Sequence, residues 1–239
     1  MSNPHRFKAL VIANTAKDHL KMIERARPFF EELAAENRFA VDFTDDPEMI
    51  NVENLSHFQI VVMLQRAPFE VTPPQQKVLQ DFIESGKGWV GIHAAGLTGK
   101  GFQSAETPYW QWFEDFLGGV TYSPHPAYQK GTVLVEDQGH PATKNLPASF
   151  EIFDEWYEFD KSPRGKVRVL ATADESTYTQ NKPMGDHPVI WTNERYRRAI
   201  YIAVGHDPSL LSSPIYRVLL RDSLLWAGSP EDWTALHDA

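Results

Sequence analysis

The sequence predicts an α/β domain built on a doubly wound, mostly parallel sheet, with antiparallel strands added in its second half. Two observations carry this. The first 95 residues alternate short apolar runs with amphipathic helical patterns, the signature of βαβ units. Beyond residue 119 the runs have strand length and are joined by loops, with one helical pattern at the end. The 239 residues show no repeat, low-complexity stretch or linker, so one domain over 1–239 is expected.

FKALVIA (7–13) has the length of a short buried strand. Asp18 is placed to cap the helix that follows. Met22, Ile23, Ala26, Phe29, Phe30 and Leu33 share one face of that helix. Pro28 lies inside the pattern and predicts a kink or break. FAVDF (39–43) and the nearly continuous apolar run FQIVVML (58–64) are strands, the second of a kind covered on both faces. Thr72, Pro73 and Gln75 form a capped helix start. Val78, Leu79, Phe82 and Ile83 make the buried face of that helix, and Gly86 ends it. GWVGI (88–92) is the next strand. YWQWFEDFLGG (109–119) reads as a helix ended by Gly118. Strands follow at GTVLVED (131–137), FEIFDEWYEFD (150–160), KVRVLATAD (166–174), PVIWTNE (188–194) and RAIYIAVG (198–205), the last two joined as a hairpin around Glu194-Arg195-Tyr196. The final helix is capped by Ser213 with Pro214 in its first turn, and Ile215, Val218, Leu219 and Trp226 face inward.

Composition excludes several functions. The formal net charge is −9 and no basic block stands out, so nucleic acid is not an expected partner. There is no cysteine, which removes disulfides, thiolate nucleophiles and cysteine-based metal sites. The first apolar run is too short for a signal peptide or a membrane span. A soluble, cytoplasmic protein with a small-molecule partner is expected. Exposed aromatics at YWQWF (109–113) would either pack against a second copy of the chain or cover the sheet.

WVGIHAAG (89–96) carries the chemistry. Small residues flank a single large polar one, His93, at the end of a strand. Ligands of open α/β sheets bind beyond the carboxyl ends of the strands. Nucleophile elbows of the G-x-S-x-G type use the same tight geometry to present one side chain. Imidazole there can move a proton, bind a metal or hold a sugar hydroxyl. GLTGKGF (96–102) fails as a phosphate loop. Ala94 stands where a glycine is needed, and Gly101 where Ser or Thr must follow Lys100. A flexible loop flanking the site is expected there.

Nine histidines are present, and His125, His140 and His187 each precede proline, which places them on loops or strand ends. His206 follows Gly205 at a strand terminus. His93, His140, His187 and His206 are candidates to converge, whereas His125 reads as a surface loop residue. No HExxH-type spacing marks a zinc site. If FDEWYEFD is one strand, Phe153, Glu155, Tyr157 and Phe159 share a face, and Asp154, Trp156 and Glu158 the other. Glu155 among aromatics then needs a raised pKa or a cationic partner, such as an arginine.

Together GKGWVGIHAAG (86–96), Asp137 with GHPATKNLP (139–147), FDEWYEF (153–159), HPVIW (187–191) and RAIYIAVGHD (198–207) resemble the ThuA-like proteins of trehalose utilisation. The resemblance spans most of the chain in order. It implies a class I glutamine amidotransferase-like fold, close to flavodoxin, with helices on both faces of the sheet. His93 stands where amidotransferases of that fold carry their cysteine, so glutamine hydrolysis through a thioester is excluded. The resemblance assigns site roles to His93, His140, Glu155, Tyr157, His187, Trp191 and His206. It implies an enzyme acting on a disaccharide or a 3-keto sugar. His93, Glu155 and His206 would do acid–base chemistry, and His140, Tyr157, His187 and Trp191 would bind substrate. Trp156 could stack on the sugar beside Tyr157 and Trp191. Two other readings fit the same residues. One is a hydrolase whose imidazoles, with Glu155 or Asp207, hold a divalent metal. The other is a non-catalytic sugar-binding module on a degenerate fold.

Overall fold

A computed structural model of the chain describes residues 5–14 and 20–229. In chain order the elements are β1 (Lys8–Ala13), α1 (Leu20–Asn37), β2 (Ala40–Thr44), α2 (Val52–Leu55), β3 (Ile60–Leu64), α3 (Pro73–Glu84), β4 (Gly88–Ile92), α4 (Gln111–Phe116), β5 (Tyr122–Ser123), β6 (Gln129–Val135), β7 (Ser149–Asp154), β8 (Glu158–Phe159), β9 (Arg168–Asp174), β10 (Pro188–Thr192), β11 (Ala199–Ile202) and α5 (Pro214–Gly228). Nine strands form one sheet in the order β2-β1-β3-β4-β11-β10-β9-β6-β7. From β2 to β11 all neighbours are parallel. From β11 to β7 all are antiparallel. β5 and β8 form a separate antiparallel ribbon.

Burial explains the two halves. β3 and β4 are buried at every residue, as parallel strands covered on both faces must be. β7 alternates exposed and buried residues, so only one of its faces meets the core. From β1 the chain crosses to β2 on one side, and from β3 to β4 on the other. Crossovers of this type are right-handed, which puts α1 and α3 on opposite faces of the sheet.

α1 buries Met22, Ala26, Phe29, Phe30 and Leu33 of the expected face, with Ile23 of that face only partly buried at its margin. It does not break at Pro28. That residue lies on the exposed side, and Ala26 before it and Phe29, Phe30 and Leu33 after it hold the helix to the core across the missing hydrogen bond. Asp18 lies outside the described residues. α3 starts with the expected box, in which the Thr72 N–H donates to Gln75 Oε1 at 3.0 Å. In α5 the inward face is turned from the expected one. Tyr216, Leu219, Leu220, Ser223 and Leu224 are buried, and Ile215, Val218 and Trp226 lie at its margin. Tyr216 sets this rotation, because its hydroxyl donates to the Val204 carbonyl at 3.1 Å. The aromatics of 109–113 cover the sheet. Phe113 and Phe116 pack edge-on against Trp89 at 5.7 and 4.9 Å, and Trp110 stacks on Trp112. Among the described residues no helix is long and apolar enough to cross a membrane.

β4 is pressed against α5 at Gly88, where a Cβ would stand 2.4 Å from the Ala227 carbonyl oxygen. A backbone atom cannot turn aside. Gly88→Ala is therefore expected to cost about 1–3 kcal/mol of stability through overpacking, read as an earlier midpoint in urea. An unchanged midpoint would show that α5 is not seated on β4.

Candidate active site

His93 directly follows β4 and takes a left-handed backbone, φ 53°. A non-glycine residue in that region is held there by its surroundings. The Tyr201 hydroxyl donates to the His93 carbonyl at 2.8 Å. His93 Nδ1 donates to the Ala203 carbonyl at 2.8 Å. Gly96 leaves room for this clamp, since a Cβ there would meet the Tyr201 hydroxyl at 2.0 Å. The small residues of HAAG thus serve the tyrosine that fixes the elbow. The turn continues as one short 3-10 segment, His93–Gly96, not as a long helix.

The second half of the site comes from the far edge of the sheet. The expected strand over 150–160 is interrupted. β7 ends at Asp154, and Glu158 begins the separate ribbon. Asp154 is fully buried, and its carboxylate accepts from the backbone N–H groups of Gly205 at 2.6 Å, His206 at 3.2 Å and Glu155 at 2.7 Å. Burial pushes this carboxyl up to about 7, against the three N–H groups that favour its charge. The side chain ends the strand by bonding back to its own next residue. Glu155 therefore does not share a face with Phe153, which is exposed. It turns instead towards the end of β11.

There Glu155 Oε2 lies 3.1 Å from His206 Nδ1, 3.3 Å from His125 Nε2 and 3.4 Å from His93 Nε2. Its partners are imidazoles, not an arginine. Burial alone would raise the Glu155 carboxyl. The hydrogen bond from His206 and its charge, with the imidazoles of His93 and His125 close by, outweigh that and hold it well below the usual carboxylate range. His206 is raised in return, chiefly by its bond to Glu155. His93 is lowered, because burial dominates over Glu155 and the Ala203 carbonyl. Leu97, Phe102, Tyr122, His125, Glu155, Tyr157 and His206 line a depression of about 560 Å³ over this cluster. That is within the range of small-molecule sites. Leu97 and Phe102 come from the glycine-rich loop after the elbow, so that loop forms one wall.

His93 itself has no exposed surface. It lies beneath Glu155, with the Tyr157 ring 3.9 Å from its own. The elbow thus anchors the site from below and does not present the imidazole to solvent. His125, read from sequence as a surface residue, is a site residue: its Nδ1 donates to the Pro126 carbonyl at 2.7 Å, which turns Nε2 to Glu155.

The remaining expected residues are not brought together. Trp191 is core, with its indole N–H on the Leu117 carbonyl at 3.1 Å. Trp156 is equally buried, bonded to the Gln129 carbonyl and stacked on Tyr178. Neither reaches the depression. His187 is buried one step behind it. Its Nε2 donates to the Tyr157 carbonyl at 2.9 Å, and Nδ1 lies 2.8 Å from the Tyr178 hydroxyl. It positions Tyr157 and does not line the depression. Asp207 caps a short turn through the Ser209 N–H and is outside the cluster. His140 lines another depression with Arg168, Thr192 and Trp226. Thr192 ends β10 and Arg168 begins β9, and β10 runs antiparallel to β11. This places His140 at the end of the sheet away from Glu155. Asp154, His125 and Tyr122 are the site residues that the sequence did not single out.

A mixed sheet whose parallel part carries a left-handed elbow after β4 has the fold of class I glutamine amidotransferase-like α/β proteins. A structure described as a putative GMP synthase component from Thermoplasma acidophilum matches 99 % of this chain and 100 % of its own at TM-score 0.60 and 12 % identity, a likeness of fold alone. The ThuA family model, described as trehalose utilisation, matches residues 8–227, and the chain belongs to that family. A putative ThuA-like protein from Bacteroides uniformis is 31 % identical, with 97 % of this chain and 95 % of that one covered at TM-score 0.85. One from Parabacteroides merdae is 17 % identical at TM-score 0.70, covering 97 % and 92 %. The comparison with curated proteins gives no match.

Two outcomes test this geometry. Asp154→Ala leaves buried N–H groups without their acceptor, and a loss of about 1–3 kcal/mol is expected in chemical denaturation. A variant as stable as the parent would remove Asp154 as the clamp. His140 is the second test. Burial first, then the Arg168 charge, lower it to about 4, so it stays neutral in the fold while the unfolded chain takes up a proton below about 6.5. Stability is then lost as pH falls through that window, by about 2 kcal/mol at pH 5. His140→Gln should lose less between pH 7 and 5 than the parent; equal losses would refute this.

Proposed function

We propose that this chain is an enzyme of disaccharide utilisation that exchanges protons on a sugar or 3-keto sugar above Glu155 and His206. Membership of the trehalose-utilisation family supports the substrate class. One observation supports the chemistry: a single carboxylate oxygen faces three imidazole nitrogens at the floor of an aromatic-walled depression. Glu155 and His206 are each about one-fifth exposed, so a substrate can touch both. His206, held protonated by the carboxylate, donates to the sugar carbonyl. Glu155 takes the proton from the carbon beside it. The enolate then regains a proton at carbon, giving an isomer, or expels the glycosidic oxygen, which leaves with a proton. Tyr157 and Tyr122 supply flat apolar faces suited to a sugar ring. His93 is a positioning residue that fixes the carboxylate from below.

The test is incubation with trehalose, sucrose and their 3-keto forms. The parent should form product, and Glu155→Gln should lower kcat by about 10²–10⁴-fold with an unchanged melting temperature. Saturable sugar binding with no product from any of the four would replace the enzyme by a binding module.

A further inference from the structure

The cluster has a second property that proton transfer does not account for. Two of its rings are locked by backbone carbonyls. His93 Nδ1 donates to Ala203 and His125 Nδ1 to Pro126, since a carbonyl can only accept. In each neutral ring the lone pair is then on Nε2, and both Nε2 atoms aim at Glu155 Oε2. Acceptors that face each other in this way require a cation between them, either a proton or a metal ion.

The distances favour the metal ion. A charge-assisted N–H to carboxylate bond is about 2.7–2.9 Å long. The three separations here are 3.1, 3.3 and 3.4 Å. Zinc bonds of about 2.0–2.2 Å in a tetrahedron put neighbouring ligand atoms about 3.3–3.6 Å apart, a spacing that the His93 separation meets and the His206 separation approaches. One ligand atom from each of His93, Glu155 and His206 lies within 4.8 Å of the others. The second layer fits as well. Metal-bound histidines give their other N–H to a carbonyl or carboxylate, as His93 does to Ala203, and the Asp154 clamp holds the backbone of both Glu155 and His206.

From this geometry we infer that His93, Glu155 and His206 form a two-histidine, one-carboxylate site for a divalent transition metal, with its open position towards the depression. His93 contributes from beneath, which gives its sealed imidazole a role that needs no access from solvent. Glu155 and His206 contribute from the side open to substrate. His125 is a positioning residue, bonding the carboxylate from the pocket wall. The ligand set of two histidines and a carboxylate is that of catalytic zinc and of non-haem iron sites. This inference deepens the proposed sugar reaction: His93, Glu155 and His206 would hold the ion, which would supply a Lewis acid for a substrate carbonyl beside the depression. Metal binding itself does not require that the substrate be a sugar.

The experiment uses the full chain, without an affinity tag, stripped with chelator and dialysed. Zn²⁺ is titrated calorimetrically, and Co²⁺ is followed by its visible absorption. One equivalent of Zn²⁺ should bind at submicromolar Kd and raise the melting temperature, as any ligand specific to the fold does. Co²⁺ should give the intense bands of a low-coordinate nitrogen and oxygen site. His206→Gln and Glu155→Gln should each weaken Zn²⁺ by at least about 100-fold, while His140→Gln at the far depression binds as the parent does. Absence of stoichiometric binding, or binding that neither substitution weakens, would overturn the site. Circular dichroism of each variant shows whether it folds, and if one does not, the other with the Co²⁺ spectrum decides. Turnover of a sugar by fully stripped protein, with Zn²⁺ bound but without effect on rate, would separate the two proposals. The metal site would stand, and its part in the reaction would fall.

Discussion

The site depends on one buried carboxylate. Asp154 ends the outermost strand of the sheet and bonds the backbone of Gly205 and His206 at the end of β11. β10, β9 and β6 lie between those strands in sheet order. The antiparallel half must therefore curl until its edge returns to the middle, and sheet twist makes this possible. Without that bond, Glu155 has no reason to stand over His93. A carboxylate is suited to the task because it can accept several backbone N–H groups at once. Its enclosure raises the cost of leaving any of them unpaired.

Around this clamp the two halves of the sheet do different work. The parallel half supplies a rigid elbow, in which Tyr201 and Gly96 hold His93 in a backbone conformation it would not adopt alone. The antiparallel half supplies Glu155, His125 and Tyr157, all on short irregular segments beside β7, β5 and β8. The amidotransferase-like structure shares the fold over 99 % of this chain, both halves included. With no cysteine in the sequence, the elbow carries a buried imidazole that faces Glu155 from the other half of the sheet.

Much of the fold was legible from local pattern. The alternation of strand and helix, the capped start at Thr72 and the elbow at His93 follow from spacing and residue type. The face of α5 did not, because a hydroxyl contact from Tyr216 set its rotation and two apolar stripes were available. Position at a strand end identified His93 and His206. It could not say that one is sealed and the other open. Asp154 escaped notice because alternation put it on a face with Trp156, and only a contact with residues 51 and 52 positions away gives it meaning. His125 precedes proline just as His140 and His187 do, and nothing beside it in sequence marks it out, yet that proline's carbonyl aims its ring. His140, His187 and Trp191 show the converse. Their residue types suit a sugar site, but their ring nitrogens are committed to the Ala142 N–H, the Tyr157 carbonyl and the Leu117 carbonyl.

His93 and Glu155 stand on opposite halves of the sheet, and each is fixed by bonds to residues far along the chain. A guest that touched both at once would fasten the two halves to each other. It would favour the fully assembled chain over a half-formed one, so occupancy would report whether both halves are seated.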